Sequence, residues 1–180
     1  GIGVSAAFFL KSSSLNSQEY AYLNQHKVSS VFPEFALGYY FFKPDLQINF
    51  AYRNIKSSLK AFGHLQEANR KAYTLEVYKF IADYHGFVPF LGPLLSYEQL
   101  NLTNTIDGKS NEKTLNALKP GIIFGWDIRP NRLQNFYLRT NLRWTPNLSV
   151  QTTNNTSFSF DQLEFNFIEL VVFPERFFKK

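Results

Sequence analysis

Apolar and polar residues alternate with period two along much of this chain. Residues 118–129 show it best. Leu118, Pro120, Ile122, Phe124, Trp126 and Ile128 fall on one side; Lys119, Gly121, Ile123, Gly125, Asp127 and Arg129 fall on the other. Successive side chains of a strand point to opposite faces, so this reads as a strand with one apolar face. About eight segments share the pattern: 2–11, 31–42, 46–59, 72–84, 90–102, 118–129, 136–145 and 158–173. Their connections alternate in length. Residues 12–30, 60–71, 103–114 and 146–156 read as long polar loops, while 43–45, 85–86 and 129–132 read as tight turns. An even number of strands then leaves both chain ends on the short-turn side.

The two faces differ in more than polarity. Phe35, Tyr39, Phe41, Phe50, Tyr52, Phe124, Trp126, Trp144, Phe165 and Phe167 lie on apolar faces. Gly3, Ala7, Ala36, Gly38, Ala51, Gly121 and Gly125 lie opposite them. A soluble carrier barrel would need the aromatic set inside, where eight strands leave room for only a limited packed layer. The reverse arrangement, with small residues inside and rings facing lipid, fits the volumes. In the fourth segment, Lys79 and Asp83 share a face. The expectation places them inward with Tyr78, Phe80 and Tyr84 outward, at the cost of Glu76 pointing outward. In the last segment, Leu163, Phe165, Phe167, Val171 and Phe173 share the apolar face opposite Glu164 and Asn166, and Glu169 breaks the pattern.

Composition sharpens the picture. Aromatic residues make up 18% of the 180, with 20 Phe and 10 Tyr, yet mean hydropathy is −0.23. That combination suits a membrane barrel, in which every second residue faces away from lipid. No run approaches the ~18 apolar residues a membrane helix requires. The expected fold is all-β: an eight-stranded antiparallel up-and-down transmembrane β-barrel, with 1–180 as one domain. The chain starts directly in a strand-like run, so the expectation is an exported product whose targeting segment has been removed. There are no cysteines, which excludes disulfides and thiolate metal sites. The net charge of +5 comes from Lys and Arg scattered over strands and loops, not from the basic cluster that nucleic acid demands. The expected partners are outer-membrane lipid and another outer-membrane or periplasmic protein, with no nucleic acid.

With these strands and turns in hand, the chain resembles the small eight-stranded outer-membrane barrels, the class of the OmpA transmembrane domain, OmpX and OmpW. Phe165, Phe167 and Phe173 are similar to the aromatic final-strand signal read by barrel-assembly machinery, and the Phe, Tyr, Asn and Lys richness resembles Bacteroidota proteins. The resemblance implies a bacterial outer-membrane location, with both termini and the short turns periplasmic.

Candidate chemistry lies on the polar face. Glu34, Arg53, Lys79, Glu98, Lys119, Asp127, Arg139, Arg143 and Glu164 all fall there. Unpaired charges are costly in a narrow lumen, so these are expected to pair across it as a plug. Tyr39, Tyr52, Tyr84, Trp126 and Trp144 are expected to form interface girdles. No cofactor motif is present. The leading reading is a non-enzymatic barrel, structural or accessory, that contacts other envelope components. A narrow channel for small or apolar solutes is the second reading. A lipid-modifying enzyme is the third, because some barrels of this class act on lipid A with Ser and His near the outer rim. Ser12, Ser13, Ser14, Ser57 and Ser58 stand near the expected level of His26 or His64, but no spacing singles out a pair, and Asp83 with His85 supplies only two groups at a turn.

Overall fold

A computed structural model describes residues 1–11, 31–61, 64–106, 108–129, 135–145, 149–151, 157–159 and 162–177. The strands are β1 (Ile2–Lys11), β2 (Phe32–Phe41), β3 (Leu46–Ala61), β4 (His64–Phe80), β5 (Phe87–Ile106), β6 (Lys109–Ile128), β7 (Phe136–Thr145), β8 (Ser149–Gln151), β9 (Ser157–Ser159) and β10 (Gln162–Val172), followed by one helical turn, α1 (Pro174–Phe177). Eight of the strands close a barrel in the order β1-β10-β7-β6-β5-β4-β3-β2, with every pairing antiparallel. Strands β8 and β9 form a separate hairpin. Closure leaves no sheet edge within the wall, the condition a lipid environment imposes on backbone hydrogen bonds.

Local sequence explains the turns. Between β4 and β5, Tyr84 and Phe87 exchange backbone hydrogen bonds of 2.9 and 3.2 Å. His85 and Gly86 between them both take positive φ, 54° and 94°. This two-residue primed geometry matches the twist of the flanking strands. The Gly86 amide donates to Asp83 Oδ1 at 2.9 Å, which holds the approach to the turn.

The alternation places side chains as the pattern on β6 implies. Leu118, Ile122, Phe124 and Ile128 face outward, while Lys119, Ile123, Gly125 and Asp127 are buried. Three expectations need correction. First, β4 runs in the opposite phase. Lys79 is exposed on the outside and donates to the Pro44 carbonyl at the turn below, so it is not part of the lumen. Glu76, Tyr78 and Phe80 point inward. The inward phase wins because Tyr78 and Phe80 pack on Phe90, with ring centroids 4.5 and 5.8 Å apart, and because Glu76 meets an arginine inside.

Second, β10 carries a bulge. Its register with β7 shifts between Asn166 and Glu169, and Phe167 and Ile168 are both exposed in succession. The extra residue flips the phase, a standard consequence of a bulge. Glu169, Val171 and Phe173 therefore point inward, the last two away from the face on which alternation alone put them.

Third, two of the four long polar loops are largely strand. Strand β4 begins at His64, and β5 and β6 pair up to Ile106 and Lys109. Asn, Thr, Ser and Lys in 60–61, 64–71, 103–106 and 109–114 read as loop because their outer faces are polar. Paired with one another, they continue the sheet beyond the apolar band. Among the described residues, β3 above Arg53 pairs only with β4, and β6 above Ile122 only with β5. The eight residues 54–61 alone extend about 25 Å along the strand. His26, Ser12–Ser14 and Asn131–Arg132 lie outside the described residues, and the side chains of Ser57, Ser58 and His64 are likewise not described.

Candidate functional site: the charged lumen

The interior is built in layers. At the short-turn end it is aromatic and apolar. Tyr78, Phe80, Val88, Phe90, Leu94 and Ile123 form one cluster, Tyr137, Val171 and Phe173 another, and Tyr40 packs against both. Arg129 lies among these rings, 4.2 Å from the Phe80 centroid and 5.1 Å from that of Tyr137. Arg139 stacks 4.6 Å from the Tyr78 ring. Guanidinium groups over ring faces gain electrostatic attraction that strengthens when water is excluded.

Above the rings, charge dominates. The buried cations among the described residues are Arg53, Arg70, Lys119, Arg129, Arg139 and Arg143; the buried anions are Glu34, Glu76, Glu98, Asp127, Glu164 and Glu169. Six face six, so the formal charges of these described residues balance. The lowest ionic group is centred on Asp127. Arg139 donates to it from Nε at 2.7 Å and from Nη2 at 3.1 Å, and Arg129 Nε donates at 3.1 Å. Arg139 also reaches Gln47 at 3.0 Å and the Tyr137 hydroxyl at 2.8 Å.

The middle group spans the lumen. Arg143 on β7 donates from Nε to Glu76 on β4 at 2.5 Å and from Nη2 to Glu34 on β2 at 2.8 Å. Glu76 also accepts from the Tyr78 hydroxyl, and from Asn49 at 3.1 Å. In the upper group, Arg53 donates to Glu164 and to Thr74, and its Nε lies 3.8 Å from Glu34. Arg70 donates from Nε to Glu98 at 2.8 Å and stands 3.6 Å from Glu164; Lys119 Nζ lies 3.0 Å from Glu98. Ala7, Phe32 and Ile55 form an apolar cluster beside this level.

Of the nine charges assigned to the lumen from alternation, Lys79 lies outside the barrel. The other eight, Glu34, Arg53, Glu98, Lys119, Asp127, Arg139, Arg143 and Glu164, are buried in ion pairs. Sequence reasoning left out Arg70, Glu76, Arg129 and Glu169. Arg70 sat in an assumed loop, Glu76 in the wrong phase, Arg129 at an assumed turn and Glu169 beyond the bulge. The signal available for Glu76 was its own discomfort: a carboxylate directed into lipid costs more than a Lys at the rim.

The outward rings fall into two sets. Tyr39, Tyr84 and Trp126 lie toward the short-turn end, Tyr39 and Tyr84 being 67% and 64% exposed. Tyr52 and Trp144 lie toward the other end. Tyr52 continues laterally in register into Tyr73 and Tyr97, a row that alternation within single strands did not reveal. Chemically, the lumen offers fixed charges of both signs, most of them held in ion pairs. Among the described residues no group of three or more metal-ligating side chains comes together.

No protein-family model matches the chain. No curated protein matches it either. Solved structures do. Neisserial surface protein A superposes with a TM-score of 0.60 at 16% identity over 96% of each chain. Ail, the attachment invasion locus protein of Yersinia pestis, superposes with a TM-score of 0.56 at 12% identity, over 93% of this chain and 95% of that one. A second structure of Ail, in complex with the heparin analogue sucrose octasulfate, gives 0.52 at the same identity. The protein therefore has the fold of the small eight-stranded outer-membrane β-barrels.

Proposed function

We propose that the chain is a single-domain, non-enzymatic outer-membrane barrel whose lumen is a structural plug. It acts as an anchor that presents its extended β3–β6 strands to other envelope components. The observation that carries this reading is the balanced six-against-six set of buried charges over an aromatic base. An eight-stranded lumen has little free cross-section once side chains fill it. Here large side chains such as Arg53, Arg139, Arg143 and Tyr78 fill it and hold one another in place. Reconstituted into planar bilayers, the unmutated protein should give no defined conductance steps. A stable, reproducible open pore would reject the plug and favour the narrow channel.

The proposed orientation puts both termini and the short turns in the periplasm. It rests on the asymmetry of the strands: β1 begins and β10 ends at the level of the 42–45 and 85–86 turns, while β3–β6 extend at the opposite end. Longer outer segments and short periplasmic turns are the usual layout of such barrels. Asn69→Cys and Glu112→Cys should react with a membrane-impermeant maleimide on intact cells. Lys43→Cys and His85→Cys should react only after permeabilisation. The opposite labelling would invert the topology.

A further inference from the structure

Along β3–β6 the outward face changes character within two residues. Tyr52, Tyr73 and Tyr97 stand in one register row beside Leu118. Tyrosine rings concentrate where acyl chains give way to headgroups. The row below is Phe50, Leu75, Leu95 and Pro120; the row above is Asn54, Lys71, Gln99 and Asn116. The next row up is Lys56, Asn69, Asn101 and Thr114. These two upper rows contain no carboxylate. Acids return on this face one row further out, at Glu67 and Glu112.

Lys56 and Lys71 are the cations of this belt. Lys56 faces Asn69 and Asn54 faces Lys71, so the two lysines are diagonal neighbours across β3 and β4, about 7–8 Å apart at their Cα atoms. Two flexible ammonium groups at that spacing can converge on one anion. Neither forms an ion pair with a described residue. The contrast within this protein is instructive. The lumen arginines are committed to carboxylates, and Lys79, at the other end of the same outer face of β4, is committed to a backbone carbonyl. The amides of Asn54, Asn69 and Gln99 flank the pair and can donate hydrogen bonds to oxygen.

We propose that Lys56 and Lys71, with these amides, bind the phosphate of an outer-leaflet lipid headgroup whose acyl chains lie along the Phe50–Leu75–Leu95 row. A lipid is favoured over a free anion because the lysines sit directly above the tyrosine row and the apolar row beneath it. The leaflet assignment rests on the proposed orientation; phosphate recognition itself does not, since it is read in detergent. The test is native mass spectrometry of the detergent-purified protein with bisphosphorylated lipid A and with its fully dephosphorylated form. The bisphosphorylated form should stay bound and the dephosphorylated form should not. Lys56→Gln/Lys71→Gln should weaken retention roughly fivefold per lysine, about 25-fold in all. Lys43→Gln, at the opposite end, should leave retention unchanged. Heat-modified migration on SDS gels checks that each variant is folded. Equal retention of both lipids, retention unaffected by the double substitution, or displacement by inorganic phosphate at equal concentration would overturn the proposal. Inverted cysteine labelling with phosphate-dependent retention intact would reject only the leaflet.

Discussion

Replacing Arg143 with methionine should destabilise the barrel by about 3–5 kcal/mol, the cost of stranding a buried charge when its partner is removed. Arg143 is 2% exposed and bridges two carboxylates on different strands, Glu76 and Glu34. The two acids lose unequally. Glu34 keeps Arg53 Nε at 3.8 Å and can draw it closer. Glu76 keeps only neutral donors among its hydrogen-bond partners, Tyr78 and Asn49. Neutralising Glu76 should therefore recover much of the loss: Arg143→Met/Glu76→Gln should unfold at higher urea than Arg143→Met alone. Equilibrium unfolding in lipid vesicles, followed by tryptophan fluorescence, reads the difference. If the double variant were less stable than the single one, the two residues would not be acting as a charge pair.

The fold was legible because lipid and lumen impose opposite demands on alternate residues. On β6 and β7, Phe124 and Gly125, or Leu142 and Arg143, leave no doubt about which side faces which. The legible part ended where both faces carry similar residues. On β4, Tyr78 and Lys79 are both amphipathic: a tyrosine can pack inside or sit at an interface, and a lysine can pair inside or reach the rim. Only the partners decide, Phe90 inside for Tyr78 and the Pro44 carbonyl outside for Lys79. A bulge is invisible to a period-two reading, so Glu169 appeared as an error in the pattern when it is the first inward residue after the phase has inverted. The extended strands were hidden for a different reason. Once clear of lipid, a strand no longer needs an apolar outer face, and Asn, Thr and Ser runs then look like loop. The ion pairs themselves join residues as far apart in sequence as Arg53 and Glu164. Alternation gives the side of the wall, while the partner across the lumen depends on strand number, tilt and register together.

The same change of demand along a strand supplies the test of where the membrane lies. Introducing arginine at Phe124 should cost about 2–4 kcal/mol, whereas arginine at Asn116 should cost about 0–1 kcal/mol, because the penalty for a lipid-facing cation falls from the midplane to the interface. Both residues are on the outward face of β6, four positions either side of Pro120. They share a strand and its outward face; Phe124 faces Leu91 on β5 and Leu142 on β7, and Asn116 faces Gln99 on β5. Phe124 is 46% exposed and sits near the centre of the outward apolar run from Leu118 to Ile128. That run of about eleven residues matches the length a tilted strand needs to cross the hydrocarbon. Asn116 lies one row above Leu118 and the Tyr52–Tyr73–Tyr97 row, level with Lys71. Folding free energies measured in vesicles of defined lipid should separate the two variants by at least 1 kcal/mol on this depth dependence. Equal penalties at both positions would mean that the tyrosine row does not mark the edge of the hydrocarbon. The lysines above it would then lie at the wrong depth to meet a headgroup.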